Sequence, residues 1–182
     1  SVSAMSLRVR RAEPEDVEAV YRMVDAQRDA YLDRFGTVDV GTMVETHFLT
    51  VVFTDEEDKL LGFAAFDDSP AFEKEADEWI LWCSRTFNVP DLAVTNAVWL
   101  TFFAVDSSYT FEAGEQMART LFATVPSLDY LLYLQHRDVM GFEPVTSSFT
   151  TFASPLSAPR TAPDADFTVL ALARAAYVPN LR

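Results

Sequence analysis

The side chains best suited to covalent or metal chemistry are few in this chain and lie far apart. There are two histidines, His47 and His136, and one cysteine, Cys83. Neither histidine has a second ligand at the spacing typical of a metal site, so we predict that the chain holds no metal ion. Cys83 shares an apolar helical face with two tryptophans, and only Arg85 lies nearby to lower the pKa of its thiol. We therefore predict a buried packing residue rather than a nucleophile.

Short motifs typical of a known chemistry are also missing from the sequence. It contains no Gly-x-Ser-x-Gly, no phosphate-binding P-loop and no His-Glu-x-x-His. With 28 acidic and 14 basic residues the formal charge is −14, which argues against binding to nucleic acid or to an anionic membrane. Only 5 glycines occur in 182 residues, which argues against a site built from glycine-rich loops around a phosphate group.

Length and composition predict one globular domain. A chain of 182 residues that is 49% hydrophobic can bury a full-sized core, and no apolar run approaches the roughly 20 residues of a membrane helix. We interpret residues 1–6 as a tag remnant and residues 7–176 as the domain, and the N-terminus lacks the features of a signal peptide. A single cysteine excludes an internal disulfide and fits an intracellular, reducing compartment.

Hydrophobic periodicity predicts an α/β (α+β) fold. Strands are predicted at 7–10, 48–53, 60–66, 97–105, 130–134, 145–152 and 167–173, the last of which also fits a helix. Helices are predicted at 14–35, near 43–48, at 70–90 and at 111–124. A hairpin followed by a parallel strand pair with a helical crossover gives a mixed central sheet of about seven strands with helices on both faces.

Aromatic residues are abundant, with 15 Phe, 6 Tyr and 3 Trp. Helical spacing predicts a core position for three of them, with a contact surface as the alternative: Trp79, Trp82 and Phe87. Three others lie in segments rich in Thr and Ser that we predict to form an exposed sheet edge, namely Phe149, Phe152 and Phe167. Such an edge can accept a strand or helix of a partner, so these three are candidate protein-contact residues.

The order of predicted elements resembles the N-acetyltransferase fold. Three short motifs occur in matching order: Leu7-Arg8-Val9-Arg10-Arg11-Ala12 at the first strand, Leu61-Gly62-Phe63-Ala64 at the third, and Met140-Gly141-Phe142-Glu143 before the last hairpin. The resemblance implies an acetyl-CoA site at the turn after the fourth strand, where backbone amides and a helix N-terminus hold the pyrophosphate in that superfamily.

The residues at that turn depart from the superfamily pattern. Instead of a glycine-rich turn with a leading Arg or Gln, residues 107–116 contain no basic residue and one glycine, Gly114. Asp106, Glu112 and Glu115 lie where a dianion would bind, and a like charge about 6 Å away costs roughly 3 kcal/mol at an effective dielectric near 20. Acids in a first helical turn are also ordinary caps. We predict a degenerate cofactor turn at these four residues, with no cofactor and no catalytic residue.

A second departure follows the fifth strand. Acetyltransferases of this type place a helix there, often with a tyrosine that protonates the leaving thiolate. Here only Gln135-His136-Arg137-Asp138-Val139-Met140 precedes Gly141, which is little more than one helical turn and contains no tyrosine. The comparison with the superfamily therefore predicts that both the cofactor cradle and the acid-bearing helix are lost.

A closer resemblance is to the family of N-terminal domains of cilia- and flagella-associated protein 61. It extends through 77–90, 96–106 and 118–130, and includes the blocks Phe102-Phe103-Ala104-Val105-Asp106 and Val125-Pro126-Ser127-Leu128. In that family the domain looks like a degenerate acetyltransferase repeat. Residues 177–182 match the junction to a second repeat, so we interpret them as a linker.

The family resemblance implies a subunit of the calmodulin- and spoke-associated complex, at the base of a radial spoke in the axoneme of motile cilia. The first hypothesis is a non-catalytic scaffold that supports spoke assembly and motility. Its partners are other subunits of that complex and radial spoke proteins, with calmodulin as a further candidate, and neither nucleic acid nor membrane is expected. The alternative is an active or CoA-sensing acyltransferase with an unusual cofactor loop.

Overall fold

A mixed β-sheet forms the centre of the molecule. The computed structural model describes residues 6–70, 80–81, 83–85, 89–136, 150–151 and 167–174. Seven strands lie within these ranges: β1 Arg8–Arg11, β2 Leu49–Thr54, β3 Leu60–Asp67, β4 Ala97–Val105, β5 Tyr130–His136, β6 Thr150–Thr151 and β7 Phe167–Ala173. Their order in the sheet is β1-β2-β3-β4-β5-β7-β6. Six of them form the body of the sheet, because β6 has only 2 residues.

The predicted pairing of the strands is confirmed. β2 and β3 form the antiparallel hairpin, and β4 and β5 form the one parallel pair of the described sheet. β4 is buried over all but its last residue, as expected for a central strand covered on both faces. The segment 167–173 is a strand rather than a helix.

Four α-helices are described over their full length. They are α1 Val17–Asp25, α2 Arg28–Phe35, α3 Val40–Thr46 and α4 Thr110–Thr124. Short 3-10 turns precede α1 at Pro14–Asp16 and α4 at Ser107–Tyr109. Residues 80–81 and 83–85 are also helical, inside the predicted helix 70–90.

The prediction of a single helix over 14–35 is wrong, because the chain breaks between α1 and α2. Gln27 has φ −136° and ψ 37°, which lies outside the helical region. α2 ends at Gly36, whose φ of 76° suits glycine and whose N–H donates to the Leu32 carbonyl at 2.8 Å. The last residue of this separate helix, Phe35, is fully buried.

Hydrophobic side chains on both faces of the sheet form two clusters. Successive residues of a strand point to opposite faces, so Leu131 and Tyr133 belong to the larger cluster while Leu132 and Leu134 belong to the smaller one. The larger cluster includes buried residues of all four helices α1–α4, and the smaller includes Ile80 from the helical segment. Helices therefore cover both faces of the sheet, as predicted.

The predicted apolar face of the helix after β4 is also confirmed, because the buried residues of α4 include Met117, Ala118, Leu121 and Phe122. This face packs into the larger cluster. Trp79, Trp82 and Phe87 lie outside the described residues, and their placement in the core stays a prediction.

An ion pair joins the first strand to the turn before α1. The Arg10 guanidinium donates to both carboxylate oxygens of Asp16, from Nη1 to Oδ2 at 2.8 Å and from Nη2 to Oδ1 at 2.9 Å. The backbone N–H of Glu13 also donates to Asp16 Oδ2 at 2.8 Å. These bonds, that from Arg10 above all, hold the pKa of Asp16 below its ordinary value of 3.8.

Truncation of Phe102 should destabilise the domain strongly. Its ring is fully buried, with ring centroids 5.0 Å from Phe35, 5.6 Å from Tyr31 and 6.0 Å from Phe63. We expect Phe102→Ala to lower the free energy of unfolding by about 3–5 kcal/mol, because a cavity adds to the lost burial. Urea denaturation followed by tryptophan fluorescence measures the change.

The matched control is Phe111→Ala, since the Phe111 side chain is 64% exposed. Its free energy of unfolding should stay within about 0.5 kcal/mol of the wild-type value. Equal losses for the two variants would show that the assigned core is wrong.

Replacement of Asp16 should give a pH-dependent loss of stability. Since the native pKa is lowered, the ion pair stabilises the fold at pH values above the unfolded pKa, and this stabilisation disappears as pH falls through the native pKa. We expect Asp16→Asn to cost about 1 kcal/mol from pH 7 down to about 4, a modest value because Arg10 is partly exposed. Below that range the difference from wild type should shrink. Urea denaturation at a series of pH values tests this, and a constant difference down to pH 2 would refute it.

Candidate functional site

The parallel strands β4 and β5 pair over a short distance and then separate. Backbone pairing runs from Ala97 opposite Tyr130 to Trp99 opposite Leu132. Beyond these residues β4 continues along β3, and β5 continues along β7. The carboxyl ends of parallel strands are the usual place for a ligand in an open α/β sheet. The turn that leads into α4 leaves the sheet at this point, where the sequence predicts a degenerate cofactor site.

Aromatic side chains pack over one face of the sheet beyond the backbone-paired part of β4 and β5. The ring of Phe35, from α2, lies 5.0 Å from Phe102 on β4 and 6.2 Å from Tyr133 on β5, measured between centroids. Burial raises the pKa of Tyr133 to about 12, although the positive charge of Arg34 acts in the opposite direction. The Tyr133 hydroxyl therefore stays protonated at neutral pH. The three rings join β4 and β5 where backbone pairing has ended.

Asp106 uses its own side chain to cap the turn after β4. Its Oδ1 accepts the Ser108 N–H at 3.0 Å, and its carbonyl accepts the Tyr109 N–H at 2.9 Å. The N–H of Asp106 in turn donates to the Leu61 carbonyl at 2.8 Å. Capping by aspartate is ordinary, and here the carboxylate engages one backbone amide at the start of a helical turn, a place where anions can bind. These three backbone donors are satisfied within the protein.

Part of the predicted cofactor turn lies inside a helix. Glu112, Gly114 and Glu115 belong to α4, in agreement with the predicted helix at 111–124. Asp106 caps the short 3-10 turn, which passes directly into this helix. The loss of cofactor binding at these residues stays a prediction. Gly114 is buried, whereas the three acidic residues are exposed, and water therefore screens their mutual repulsion.

A cavity of about 160 Å³ opens between α2 and the turn after β4. Its lining includes Ala30, Tyr31, Arg34, Phe103, Ser107 and Thr110. Burial raises the pKa of Tyr31, while the charge of Arg34 lowers it, as expected for a guanidinium close to the phenol. A positive charge from α2 therefore faces the turn that itself contains no basic residue.

Cys83 and His47, which could in principle act in nucleophilic or metal chemistry, have surroundings that suit packing. Cys83 is fully buried in the smaller hydrophobic cluster, which confirms the prediction, and burial raises the pKa of its thiol to about 12. Burial lowers the pKa of His47, with an opposing effect of Asp67. Among the residues that the structure describes, no three His, Cys, Asp or Glu side chains are grouped to hold a metal ion, and no helix is long and apolar enough to span a membrane.

The structure places only part of the predicted contact edge. Phe167 begins β7, which pairs with β5 along its length and with β6 at Leu170 and Ala171. The role of Phe167 as a protein-contact residue stays a prediction. Phe149 and Phe152 lie outside the described residues.

The predicted loss of a helix after the fifth strand is only partly covered by the structure. Gln135 and His136 are the last residues of β5, while residues 137–140 lie outside the described ranges. This departure from the superfamily stays a prediction.

Three residues that shape the site are not singled out by the sequence analysis: Tyr31, Arg34 and Phe35. Their positions on one helix follow the spacing i, i+3 and i+4. That spacing indicates a shared face, but it gives no indication of their neighbours on β4, β5 and the turn, which lie much further along the chain.

A family model matches nearly the whole chain. Residues 8–182 match the model described as the N-terminal domain of cilia- and flagella-associated protein 61. The chain belongs to this family. A curated member of the cilia- and flagella-associated protein 61 family, from Tetrahymena thermophila, is 25% identical over 150 residues. The alignment covers 72% of the chain and 9% of that protein, so the chain spans less than a tenth of its relative's length.

The name of this family indicates an association with cilia and flagella, and solved structures show the fold. An acetyltransferase from Salmonella typhimurium that modifies the N-terminal serine of a ribosomal subunit protein has a TM-score of 0.60 at 15% identity, covering 95% of this chain and 97% of that one. An acetyltransferase of the GNAT family from Bacillus anthracis has a TM-score of 0.58 at 14% identity, covering 94% of this chain and 96% of that one.

An N-acetyltransferase from Escherichia coli in complex with CoA has a TM-score of 0.53 at 17% identity, covering 97% of this chain and 87% of that one. Identities this low show the fold alone. The predicted N-acetyltransferase-like fold of this cilia- and flagella-associated domain is confirmed.

Proposed function

We propose that the domain is a non-catalytic scaffold and interaction module of a ciliary or flagellar protein. The observation that carries this proposal is the Asp106 carboxylate, which accepts the Ser108 N–H at 3.0 Å. This is the turn where N-acetyltransferases hold the pyrophosphate of their cofactor. A pyrophosphate would have to displace the carboxylate or bind beside it.

Each of these two ways of binding the pyrophosphate costs free energy. Displacing the carboxylate removes a cap worth about 1 kcal/mol. Binding beside it brings a dianion close to a negative charge, at roughly 3 kcal/mol for each pair of unit charges about 6 Å apart. Exposure and salt reduce this repulsion, but micromolar affinity corresponds to only about 8 kcal/mol in total. The net charge of −14 also disfavours binding of the anionic cofactor.

The aromatic packing between β4 and β5 supports the same conclusion. Phe35 contacts Phe102 and Tyr133 beyond the backbone-paired part of the strands, and so links β4 to β5 through side chains of the protein itself. Such contacts contribute about 0.5–1.5 kcal/mol each beyond the area they bury. A sheet closed by its own side chains keeps its shape without a ligand, which suits a scaffold.

At a finer level, we propose that the whole protein is a subunit of the calmodulin- and spoke-associated complex at the base of a radial spoke in the axoneme. Its partners would be other subunits of this complex and radial spoke proteins, with calmodulin as a further candidate. Family membership supports this role in spoke assembly and motility. Because the chain covers 9% of the Tetrahymena relative, contacts with these partners are shared with the rest of the protein.

The alternative function is an acyltransferase that still binds or senses CoA. Its support is the fold shared with solved N-acetyltransferases, one of them in complex with CoA, together with the cavity beside the turn. In this alternative, Arg34 would supply the positive charge that residues 107–116 lack.

Titration with acetyl-CoA distinguishes the two functions. For a scaffold, isothermal titration calorimetry of the 182-residue chain should show no saturable binding up to about 1 mM, the concentration that half-fills a site of roughly −4 kcal/mol. The physical reason is that the Asp106 carboxylate occupies the Ser108 N–H and adds a negative charge at the turn, while residues 107–116 supply no basic side chain.

Two variants locate any binding that does occur. Ser108→Trp adds bulk at an exposed residue of the turn, and Ser127→Trp adds the same bulk at an exposed residue beyond α4. Saturable micromolar binding that Ser108→Trp abolishes and Ser127→Trp preserves would establish the acyltransferase alternative instead.

A further inference from the structure

We infer that the cavity between α2 and the turn after β4 is a binding site for a carboxylate on a short apolar stem, with Arg34 as its cation. This ligand differs from the cofactor of the superfamily. The inference therefore holds whether or not the domain binds CoA.

The cavity has one apolar and one polar part. Ala30, exposed at the rim, and Phe103, fully buried, are apolar lining residues, while Arg34 and Tyr31 are half-buried polar ones. Ser107 adds a hydroxyl from the turn. At about 160 Å³ the cavity is similar to the roughly 150 Å³ cavities that accept benzene. A guest of about six heavy atoms therefore fits.

The polar part suits a carboxylate. A guanidinium presents its donors in a planar fork that matches the two oxygens of a carboxylate. The Tyr31 hydroxyl lies in the same lining and keeps its proton, because burial raises its pKa, so it can donate as well. A charge pair at a half-buried position is also screened less than one on the surface.

The surrounding acidic residues favour a monoanion over a dianion. Asp106, in the adjoining turn, repels a dianion twice as strongly as a monoanion. Asp29 and Asp33 are exposed, and helical spacing puts them on the side of α2 away from the cavity-lining positions. Since the whole chain has a charge of −14, we expect millimolar rather than micromolar affinity for a free acid.

Butyrate and butyramide test this chemistry, because each has six heavy atoms and only butyrate is charged. In amide NMR spectra of the isotope-labelled chain, butyrate should shift Ala30, Tyr31, Ser107 and Thr110 to saturation. Butyramide and inorganic phosphate should bind at least about tenfold more weakly. Binding of butyramide or phosphate as tightly as butyrate would overturn the inference.

Variants test the role of Arg34. Arg34→Gln should weaken butyrate binding at least about tenfold. Arg28→Gln makes the same charge change at an exposed position of the same helix and should leave the affinity within about twofold. Ala30→Trp fills the cavity without changing charge and should abolish binding, which keeps the test decisive if Arg34→Gln fails to fold. Equal effects of Arg34→Gln and Arg28→Gln, or unchanged binding by Ala30→Trp, would refute the site.

A further NMR titration, with two peptides, identifies the source of the carboxylate. A peptide with blocked ends and one glutamate is compared with its glutamine counterpart. Shifts of the same amides by the glutamate peptide alone support the site and assign it to a protein side chain. A response to butyrate but to neither peptide supports it and assigns a free small acid. No response to butyrate or to the glutamate peptide overturns the inference.

Discussion

The separation of β4 and β5 is the constraint on which the rest of this structure depends. The two parallel strands share only three backbone-paired positions, so side-chain contacts must link them beyond Trp99 and Leu132. Phe35 supplies such a link from α2 on one face of the sheet, with its ring against Phe102 and Tyr133. The break at Gln27 and the left-handed Gly36 set the two ends of α2, and thereby the position of that ring.

The turn after β4 is also held by contacts within the protein. The Asp106 carboxylate caps the turn through the Ser108 N–H, which stabilises the start of α4. Active sites commonly keep donors unsatisfied and residues strained at a cost in stability. A donor that is satisfied internally stabilises the protein instead. The capped turn and the aromatic contacts are both internal contacts of this kind, and the proposed scaffold function rests on them.

Local pattern predicts much of this fold, but not its site. The apolar run 97–105 and the hairpin before it are predicted correctly because strand periodicity and turn residues determine them. The break at Gln27 is not predicted, since glutamine favours helices and tertiary contacts decide there. The order β5-β7-β6 is not predicted, because strand order cannot be read from periodicity. Arg34 and Phe35 stay unnoticed because the residues they face lie far along the chain.

The central claim is that this domain works in the cilium without cofactor chemistry at the turn 107–109. The most direct measurement is ciliary beat frequency in cells that lack the protein and receive the full-length chain with Ser108→Trp, Ser127→Trp or no change. We predict equal recovery in all three, because both serines are exposed and a scaffold needs no ligand at this turn. Loss of beating with Ser108→Trp alone, while that protein still reaches the cilium at the wild-type amount, would contradict the claim.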